Sequence, residues 1–265
     1  MLPARRPRCS EGRRRAAGDL VRRCRLLTGG FAARQPAVSR RPVAPDLDPT
    51  ALRQAISAWG FAEADLPPRR GDDLVADGPE AQRQASAVML VLLEHEDGVR
   101  LVLTQRAPHL PKHPGQISFP GGRAEPEDTD LLDTARRETA EEIGLDLARS
   151  DVIAALPRYA TRTGFDIAPF VAIAPPPPSW TPQVSEVAAV FEEPLNSFLR
   201  PERWRRDGAM FGGRPLRHWW AMDLDERYLW GATAAILHSF AETLCAALDR
   251  PFSDHEVGSA RGSAP

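Results

Sequence analysis

The apolar run Ala85–Leu93 constrains the fold of this chain more than any other feature of the sequence. Only Ser86 interrupts it with a polar side chain, so both faces of a strand formed by this run would be apolar. A buried central strand is therefore predicted. Glu94–Gly98 has the composition of a turn, and Val99–Gln105 resumes a strand pattern. The stretch 85–106 is therefore predicted to form a β-hairpin at the centre of the domain.

Periodicity and turn residues predict the other elements. These are a helix over Pro49–Trp59 capped by Asp48, strands at 152–156, 167–173 and 186–191, and a long final helix over Tyr228–Leu248. Polar segments that contain proline or glycine predict loops at 62–84 and 107–129. Long ordered loops inside compact domains are usually functional, so 107–129 is where we expect chemistry.

The ends of the chain differ in composition from its middle. Residues 1–41 hold twelve arginines and two acidic residues, although the whole chain has a formal net charge of −2. Organelle transit peptides, nucleic-acid-binding arms, disordered extensions and misplaced start codons all share this composition. We expect residues 1–44 to be a disordered extension, 45–250 to be the folded domain and 251–265 to be a disordered tail.

Cysteine usage and hydropathy limit the cellular setting. Cys9, Cys24 and Cys245 are odd in number and widely spaced, which argues against structural zinc. No segment approaches the roughly 18 apolar residues of a membrane span, and the N-terminus lacks the apolar run of a secretory signal. These features predict a soluble cytoplasmic protein that binds neither membranes nor nucleic acid, and they leave a homodimer open.

Asp130–Ile143 is predicted to be a helix, with apolar positions on one face and Gly144 at its end. Its other face places Glu138, Glu141 and Glu142 at i, i+3 and i+4. Mutual repulsion and the helix dipole both oppose carboxylates in this region, and a bound cation would reverse that cost. Carboxylate oxygens are ligands that suit Mg²⁺ or Mn²⁺.

A solvated helix face explains the same glutamates without a metal. Arg136 and Arg137 would then pair with them, and Arg137 and Glu141 have the i, i+4 spacing of a helix ion pair. For three glutamates considered alone, this second interpretation is the simpler one. Their context in the sequence decides between the two.

That context consists of Gly122, Asp128 and the run Arg137-Glu138-Thr139-Ala140-Glu141-Glu142-Ile143-Gly144-Leu145. The spacing resembles the Nudix box, G-x5-E-x7-R-E-U-x-E-E-x-G-U, in which U is apolar. Asp128 replaces the first glutamate with one extra residue before the arginine, and Thr139 occupies an apolar position. Both departures resemble the variant box of the coenzyme A diphosphatase branch of that family.

The segment before the box carries a second resemblance. It contains Leu103-Thr104-Gln105-Arg106-Ala107, then Gly115, then Phe119-Pro120-Gly121-Gly122. This order is similar to the motif L-L-T-x-R-S/A-x3-R-x3-G-x3-F-P-G-G of the same branch. Val102 departs at the first leucine and Pro111 at the second arginine, where the adjacent Lys112 is a candidate for the missing charge.

The resemblance implies an α/β fold, specifically an αβα Nudix sandwich with a mixed β-sheet and the box as a loop–helix–loop. It implies metal-dependent hydrolysis of the diphosphate linkage of coenzyme A or an acyl-CoA, giving 3′,5′-ADP and (acyl-)4′-phosphopantetheine. Two alternatives stay open: hydrolysis of another nucleoside diphosphate derivative, such as ADP-ribose or a dinucleotide, and a noncatalytic ligand sensor.

The resemblance also implies roles for individual residues. The carboxylates that would bind Mg²⁺ or Mn²⁺ are Glu138, Glu141 and Glu142 from the box and Glu186 from outside it. The expected catalytic residues are Glu138 as the preferred base, Arg137 and Glu141. The candidates for binding phosphate groups are Arg106, Lys112 and Arg123. Solvated loop positions are expected for His109 and His113, and core positions for Trp204, Trp219, Trp220 and Trp230.

Overall fold

The computed structural model describes residues 47–61, 69–70, 83–161, 163–211 and 214–252. The chain divides into two units, Met1–Ser39 and Arg40–Pro265, and the described residues belong to the second. The predicted extension 1–44, most of the predicted loop 62–84 and most of the predicted tail 251–265 lie outside the described residues. The domain boundaries at 44 and 251 therefore stay predictions.

The described residues form three α-helices and twelve strands. The helices are α1 (Pro49–Ser57), α2 (Leu131–Ile143) and α3 (Gly231–Ala247). The strands are β1 (Arg69–Arg70), β2 (Gln84–His95), β3 (Gly98–Arg106), β4 (Ile117–Ser118), β5 (Gly121–Arg123), β6 (Val152–Ala155), β7 (Tyr159–Ala160), β8 (Phe165–Ala174), β9 (Val187–Pro194), β10 (Arg205–Phe211), β11 (Arg214–Leu224) and β12 (Arg227–Trp230).

The predicted hairpin, β2 and β3, lies at the centre of a mixed sheet that has nine strands within the described residues. Their order is β1-β7-β8-β2-β3-β4, while β5 pairs with β2, β6 with β8 and β9 with β3. β2 runs parallel to β8 and antiparallel to β3. Ala87 and Met89–Leu93 are fully buried, as a continuous apolar run predicts for a strand covered on both faces.

Different helices cover the two faces of this sheet. Alternation along β2 directs Met89 and Val91 toward the core under α2, and Leu90 and Leu92 toward the core under α1 and α3. On β3, Leu103 belongs to the α1 and α3 side. The arrangement is the αβα sandwich with a mixed sheet that the resemblance implies.

α2 begins and ends where its capping residues predict. The Asp130 carboxylate accepts a hydrogen bond from Asp133 N–H (2.8 Å), and Gly144 follows the helix in a left-handed conformation with φ 74°. Thr139 fits an apolar position of the box because its Oγ1 donates to the Ala135 carbonyl (2.6 Å). The buried hydroxyl is therefore satisfied within the helix and places no unpaired polar group in the core.

The structure corrects the predicted final helix, which begins at Gly231 rather than Tyr228. Arg227–Trp230 is instead strand β12, which pairs antiparallel with β11. Leu229 is buried and Tyr228 is more than a third exposed, an alternation with the period of a strand. The sheet β10-β11-β12 is absent from the sequence predictions, and the predicted loop 107–129 contains the short strands β4 and β5.

The other predicted elements are confirmed. The strands at 152–156, 167–173 and 186–191 correspond to β6, β8 and β9, and α1 is capped by Asp48, whose carboxylate accepts from Thr50 N–H (3.1 Å). Of the four tryptophans expected in the core, Trp204 is buried there and Trp220 packs against it, whereas Trp219 and Trp230 belong to neither core cluster. None of the described helices has the length and apolar character that crossing a bilayer requires.

Candidate active site

The Gly121-Gly122 pair lies between the central strand β2 and the helix α2. Gly121 has φ 151°, and a Cβ there would lie 2.3 Å from the Ala87 carbonyl oxygen and 2.6 Å from Val88 Cα. A Cβ at Gly122 would lie 2.3 Å from Oε1 of Glu138. A side chain at position 121 would clash with the backbone of β2, and one at position 122 would clash with the Glu138 carboxylate of α2. Both positions therefore need glycine.

Arg137 is the centre of a charged network on one side of α2. Its Nε and Nη2 donate to the two oxygens of Asp128 (2.9 and 3.1 Å), and Nη1 donates to Glu138 Oε1 (3.2 Å) and Glu141 Oε2 (3.1 Å). Nη2 also donates to the Arg123 carbonyl (3.0 Å). The guanidinium lowers the pKa of Asp128 well below its usual range, and Asp128 in turn raises the pKa of Arg137. Asp128 therefore fixes the arginine, which holds one oxygen of Glu138.

Glu142 and Glu138 lie where negative charge exceeds positive charge. Glu142 is 4% exposed and accepts a hydrogen bond from Gly121 N–H (3.1 Å), and burial raises its pKa to about 8. Burial also raises the pKa of Glu138. The negative charge of Glu186 raises both pKa values further, whereas Arg106 lowers that of Glu142. Three predicted metal ligands, Glu138, Glu142 and Glu186, therefore share one acidic region.

Glu141 differs from the other three predicted ligands. Its side chain is 53% exposed and forms an ion pair with Arg137. Among the residues that the structure describes, no group of three or more His, Cys, Asp or Glu side chains stands at metal-binding separations. Carboxylate oxygens nevertheless suit Mg²⁺ and Mn²⁺, and Glu142 together with Glu138, which shares Arg137 with Asp128 and Glu141, fits a divalent cation. The metal-binding roles of these glutamates stay a prediction.

Glu186 precedes β9 and is tied by its backbone to the motif loop, which comprises residues 107–116. Ala107 N–H donates to the Glu186 carbonyl (2.7 Å), and His109 Nε2 lies 2.9 Å from the Ser185 carbonyl oxygen. His109 is exposed, as expected of a solvated loop residue, and it also contacts the segment that carries the additional carboxylate. The motif loop and Glu186 are therefore positioned together.

The three predicted phosphate-binding residues occupy different positions around the acidic region. Arg106 ends β3, and its charge acts on Glu142. The Arg123 guanidinium carbon lies 5.4 Å from the centre of the Phe165 ring. Lys112 is exposed on the motif loop. The charge of Arg106 thus acts on a box carboxylate, while Lys112 and Arg123 are exposed, and the phosphate-binding roles of all three stay predictions.

Sequence comparison identifies the family to which this site belongs. A family model for the NUDIX domain matches residues 83–211. The chain is 39% identical over 160 residues to proteins named uncharacterized Nudix hydrolase NudL from Salmonella paratyphi B and Salmonella newport. These matches cover 60% of this chain and 82% of each relative. The chain belongs to the Nudix hydrolase family.

This Nudix hydrolase is also similar to solved structures. A NUDIX hydrolase from Alicyclobacillus acidocaldarius is 21% identical with a TM-score of 0.38, covering 44% of this chain and 81% of that one. The NUDIX domain of Shewanella oneidensis NrtR, solved with ADP ribose, is 20% identical with a TM-score of 0.38, covering 48% and 82%. The family assignment rests on the NudL relatives. It makes the chain a hydrolase of phosphorus-containing anhydrides in nucleoside diphosphate derivatives.

Two features around the Nudix box were not assigned a role in the sequence analysis. Phe165 supports the Arg123 side chain, and Arg227, Tyr228 and Trp230 lie beside the motif loop. The sequence Arg227–Trp230 does not alternate between polar and apolar residues, so it gave no signal for β12. Phe165 gave no signal either, because its contact with Arg123 depends on the pairing of β2 with both β5 and β8.

Proposed function

We propose that this Nudix hydrolase cleaves the diphosphate linkage of coenzyme A or an acyl-CoA. The observation that supports this substrate is how the motif 103–122 folds beside the box. Arg106 N–H donates to the Gln116 carbonyl (3.0 Å), and the Arg106 carbonyl accepts from Gly115 N–H (3.1 Å). The two ends of the motif loop therefore meet, and Gly121 at the end of the motif donates its N–H to Glu142 (3.1 Å). The segment that resembles the coenzyme A branch is thus adjacent to the box carboxylates.

Different charged residues would bind the metal, accept the proton and bind the phosphates. Glu138, Glu142 and Glu186 would hold Mg²⁺ or Mn²⁺, which neutralises phosphate charge and acidifies water. Arg137 donates to Glu138 Oε1, so Oε2 is the oxygen that accepts a proton from the attacking water. Arg106 binds oxygens of the diphosphate, and Lys112 binds a phosphate farther along the substrate.

The products follow from the bond that breaks. Water adds its oxygen to one phosphorus of the linkage, and the bond from that phosphorus to the bridging oxygen breaks. Each product then carries one of the two phosphates. From coenzyme A the products are 3′,5′-ADP and 4′-phosphopantetheine, and from an acyl-CoA the second product keeps its acyl group.

Pro111 favours a second candidate function, the hydrolysis of ADP-ribose or a dinucleotide. The motif of the coenzyme A branch has an arginine at this position, and the loss of that charge weakens the case for a substrate with an additional phosphate. The fold and the box do not determine the substrate of a Nudix hydrolase, so the two candidates differ only in what the surrounding residues bind.

A substrate panel with product identification tests the proposal. The full-length protein is assayed with Mg²⁺ or Mn²⁺ on coenzyme A, acetyl-CoA, ADP-ribose and a dinucleoside polyphosphate, with Glu138→Gln as the impaired control. We expect the highest kcat/KM for coenzyme A or its acyl derivative, with release of 3′,5′-ADP. Efficient hydrolysis of ADP-ribose or the dinucleotide, with no 3′,5′-ADP from either coenzyme A compound, would reject the proposal in favour of the second candidate.

A further inference from the structure

A cavity of about 460 Å³ is lined by the end of β3, the motif loop and β12. Gln105 and Arg106 are consecutive on β3, at the point where its pairing with β9 shifts register. Gln105 lines the cavity together with His113 and Gln116, whereas the charge of Arg106 acts on Glu142. A volume of this size is typical of small-molecule sites. The segment that leads to the box therefore also borders a ligand-sized cavity.

β12 supplies an aromatic wall of this cavity. Tyr228 and Trp230 are two residues apart and lie on the same face of the strand, with an angle of 19° between their rings and 6.3 Å between the ring centres. The Tyr228 hydroxyl donates to Asp207 (2.6 Å) and accepts from Trp219 Nε1 (3.0 Å), which holds the ring in place. The Arg205 guanidinium carbon lies 5.5 Å from the centre of the Tyr228 ring, so a planar base would stack on the part of the Tyr228–Trp230 pair that lines the cavity.

Arg227 adds a positive charge to the same wall. Its guanidinium carbon lies 4.2 Å from the centre of the Phe191 ring. Within the part of the chain that the structure describes, no carboxylate forms an ion pair with Arg227, although Glu226 also lines the cavity. A guanidinium held on an aromatic face keeps N–H donors available for a phosphate. The Glu226 carboxylate opposes a ligand with several phosphates and can accept hydrogen bonds from hydroxyl or amino groups.

His113 and Gln116 place polar groups of the motif loop on the cavity wall. His113 has a left-handed φ of 54°, which histidine adopts more readily than most residues. Its carbonyl accepts a hydrogen bond from Gln116 N–H (3.2 Å), so both cavity-lining residues belong to one tight turn. The side-chain amides of Gln105 and Gln116 add donors and acceptors for the edge of a base.

We propose that this cavity binds a purine nucleoside that carries one phosphate, with the base against Tyr228 and Trp230 and the phosphate on Arg227. The identification of this ligand as the adenosine 3′-phosphate portion of coenzyme A rests on the proposed function. The diphosphate then extends from the cavity around the motif loop to the box carboxylates. Arg227 determines specificity in this arrangement and takes no part in the chemical step.

Binding of adenosine 3′-monophosphate to the full-length protein, with a chelator present, isolates the cavity from the diphosphate and metal sites. We expect calorimetric binding by the wild-type protein that weakens at least tenfold in Arg227→Gln and recovers largely in Arg227→Lys. Adenosine, which lacks the phosphate, should lose less affinity in Arg227→Gln. Arg53→Gln is the matched control, because Arg53 is a partly exposed arginine on α1 that pairs with Glu94. The Arg53→Gln variant should bind adenosine 3′-monophosphate with the affinity of the wild-type protein.

The outcomes separate this inference from the proposed function. If adenosine 3′-monophosphate does not bind the wild-type protein at millimolar concentration, or if Arg227→Gln and Arg53→Gln bind it equally well, the cavity assignment is wrong. If it binds through Arg227 but the enzyme releases no 3′,5′-ADP from coenzyme A, the cavity assignment stands and the proposed substrate is wrong. If adenosine 3′-monophosphate binds through Arg227 and the enzyme also releases 3′,5′-ADP from coenzyme A, Arg227→Gln should raise the KM for coenzyme A with little change in kcat. The KM for dephospho-coenzyme A should change less.

Discussion

The two sides of α2 place acidic side chains in opposite electrostatic surroundings. On the matched side, defined by Asp128, Arg137 and Glu141, one guanidinium serves both carboxylates and lowers the pKa of Asp128. On the acidic side, defined by Glu138, Glu142 and Glu186, Glu138 still shares that guanidinium, whereas burial and the charges of Glu138 and Glu186 raise the pKa of Glu142 to about 8. Carboxylates paired with a guanidinium stabilise the folded chain. A buried carboxylate among other carboxylates lowers its stability, and a cation that binds there can offset that cost.

The largest expected effect comes from neutralising the acidic side. Glu138→Gln and Glu142→Gln should each lower kcat/KM by about 10²–10⁴-fold, because each removes charge needed for the metal or the attacking water. The melting temperature measured with a chelator should not fall, since the amide oxygen introduced by Glu142→Gln would still accept from Gly121 N–H and would bury no charge. Near-wild-type, metal-dependent turnover in both variants would contradict the assignment of the acidic side.

Removing the cation from the matched side should affect stability first. Arg137→Met leaves the Asp128 carboxylate, 6% exposed, without its partner and should lower the free energy of unfolding by about 3 kcal/mol. Because the folded-state pKa of Asp128 lies below its ordinary 3.8, this contribution is present above pH 3.8 and is lost as the pH falls further. Denaturant unfolding at several pH values measures it. An additive double-mutant cycle with Asp128→Asn would show that the two residues are not coupled.

Gly122→Ala tests whether the backbone positions the acidic side. A Cβ would lie 2.3 Å from Oε1 of Glu138, so the carboxylate must move, and we expect kcat/KM to fall about 10- to 100-fold with the fold retained. Combining this change with Glu138→Gln supplies the control. If the alanine acts by displacing that carboxylate, the double variant should be no slower than Glu138→Gln alone.

Lys112→Ala tests a positive charge that belongs to neither the matched side nor the acidic side. If Lys112 contacts the 3′-phosphate of coenzyme A in addition to Arg227, kcat/KM for coenzyme A should fall about tenfold in Lys112→Ala, and that for dephospho-coenzyme A should fall less. The arginine control is Arg53→Ala, which should leave both values unchanged. Equal losses on both substrates would reject the 3′-phosphate contact and point to the diphosphate.

The smallest effect is expected from the N-terminal arginines. Deleting residues 1–41 removes twelve arginines but no residue of the motif or the box, so the kcat/KM of the shortened protein should equal that of the full chain. Assays at two salt concentrations would also detect a long-range effect of this charge. A large loss of activity in a folded, shortened protein would show that the arginines contribute to the site.

Local signals in the sequence predict the framework of the site well. The continuous apolar run predicts β2, because strands covered on both faces have no polar side to alternate. Asp130 and Gly144 predict both ends of α2, because capping depends on residues adjacent in the sequence. The family motifs then predict which carboxylates belong to the box, although their metal-binding roles stay predictions.

Contacts between distant segments were harder to predict. The place of Glu141 beside Arg137 follows from their i, i+4 spacing, but the place of Glu186 on the acidic side depends on how the motif loop and β9 are brought together. Tyr228 was assigned to the final helix because apolar residues on both sides of Gly231 extend the helical pattern. Its place in β12 depends on pairing with β11, and that pairing has no local signature in a segment of only four residues.

The hydrogen bond from Gly121 N–H to Glu142 gives the site a built-in spectroscopic reporter. The amide lies 3.1 Å from Oε2 of a carboxylate on the acidic side, and a backbone amide hydrogen bond is stronger when its acceptor is ionised. The Gly121 amide resonance should therefore move when Mg²⁺, which is diamagnetic, is titrated into the metal-free protein, or when Glu142 is replaced. The chemical shift of the Gly121 amide in a nitrogen-15 spectrum would then report metal binding at the acidic side without any enzymatic turnover.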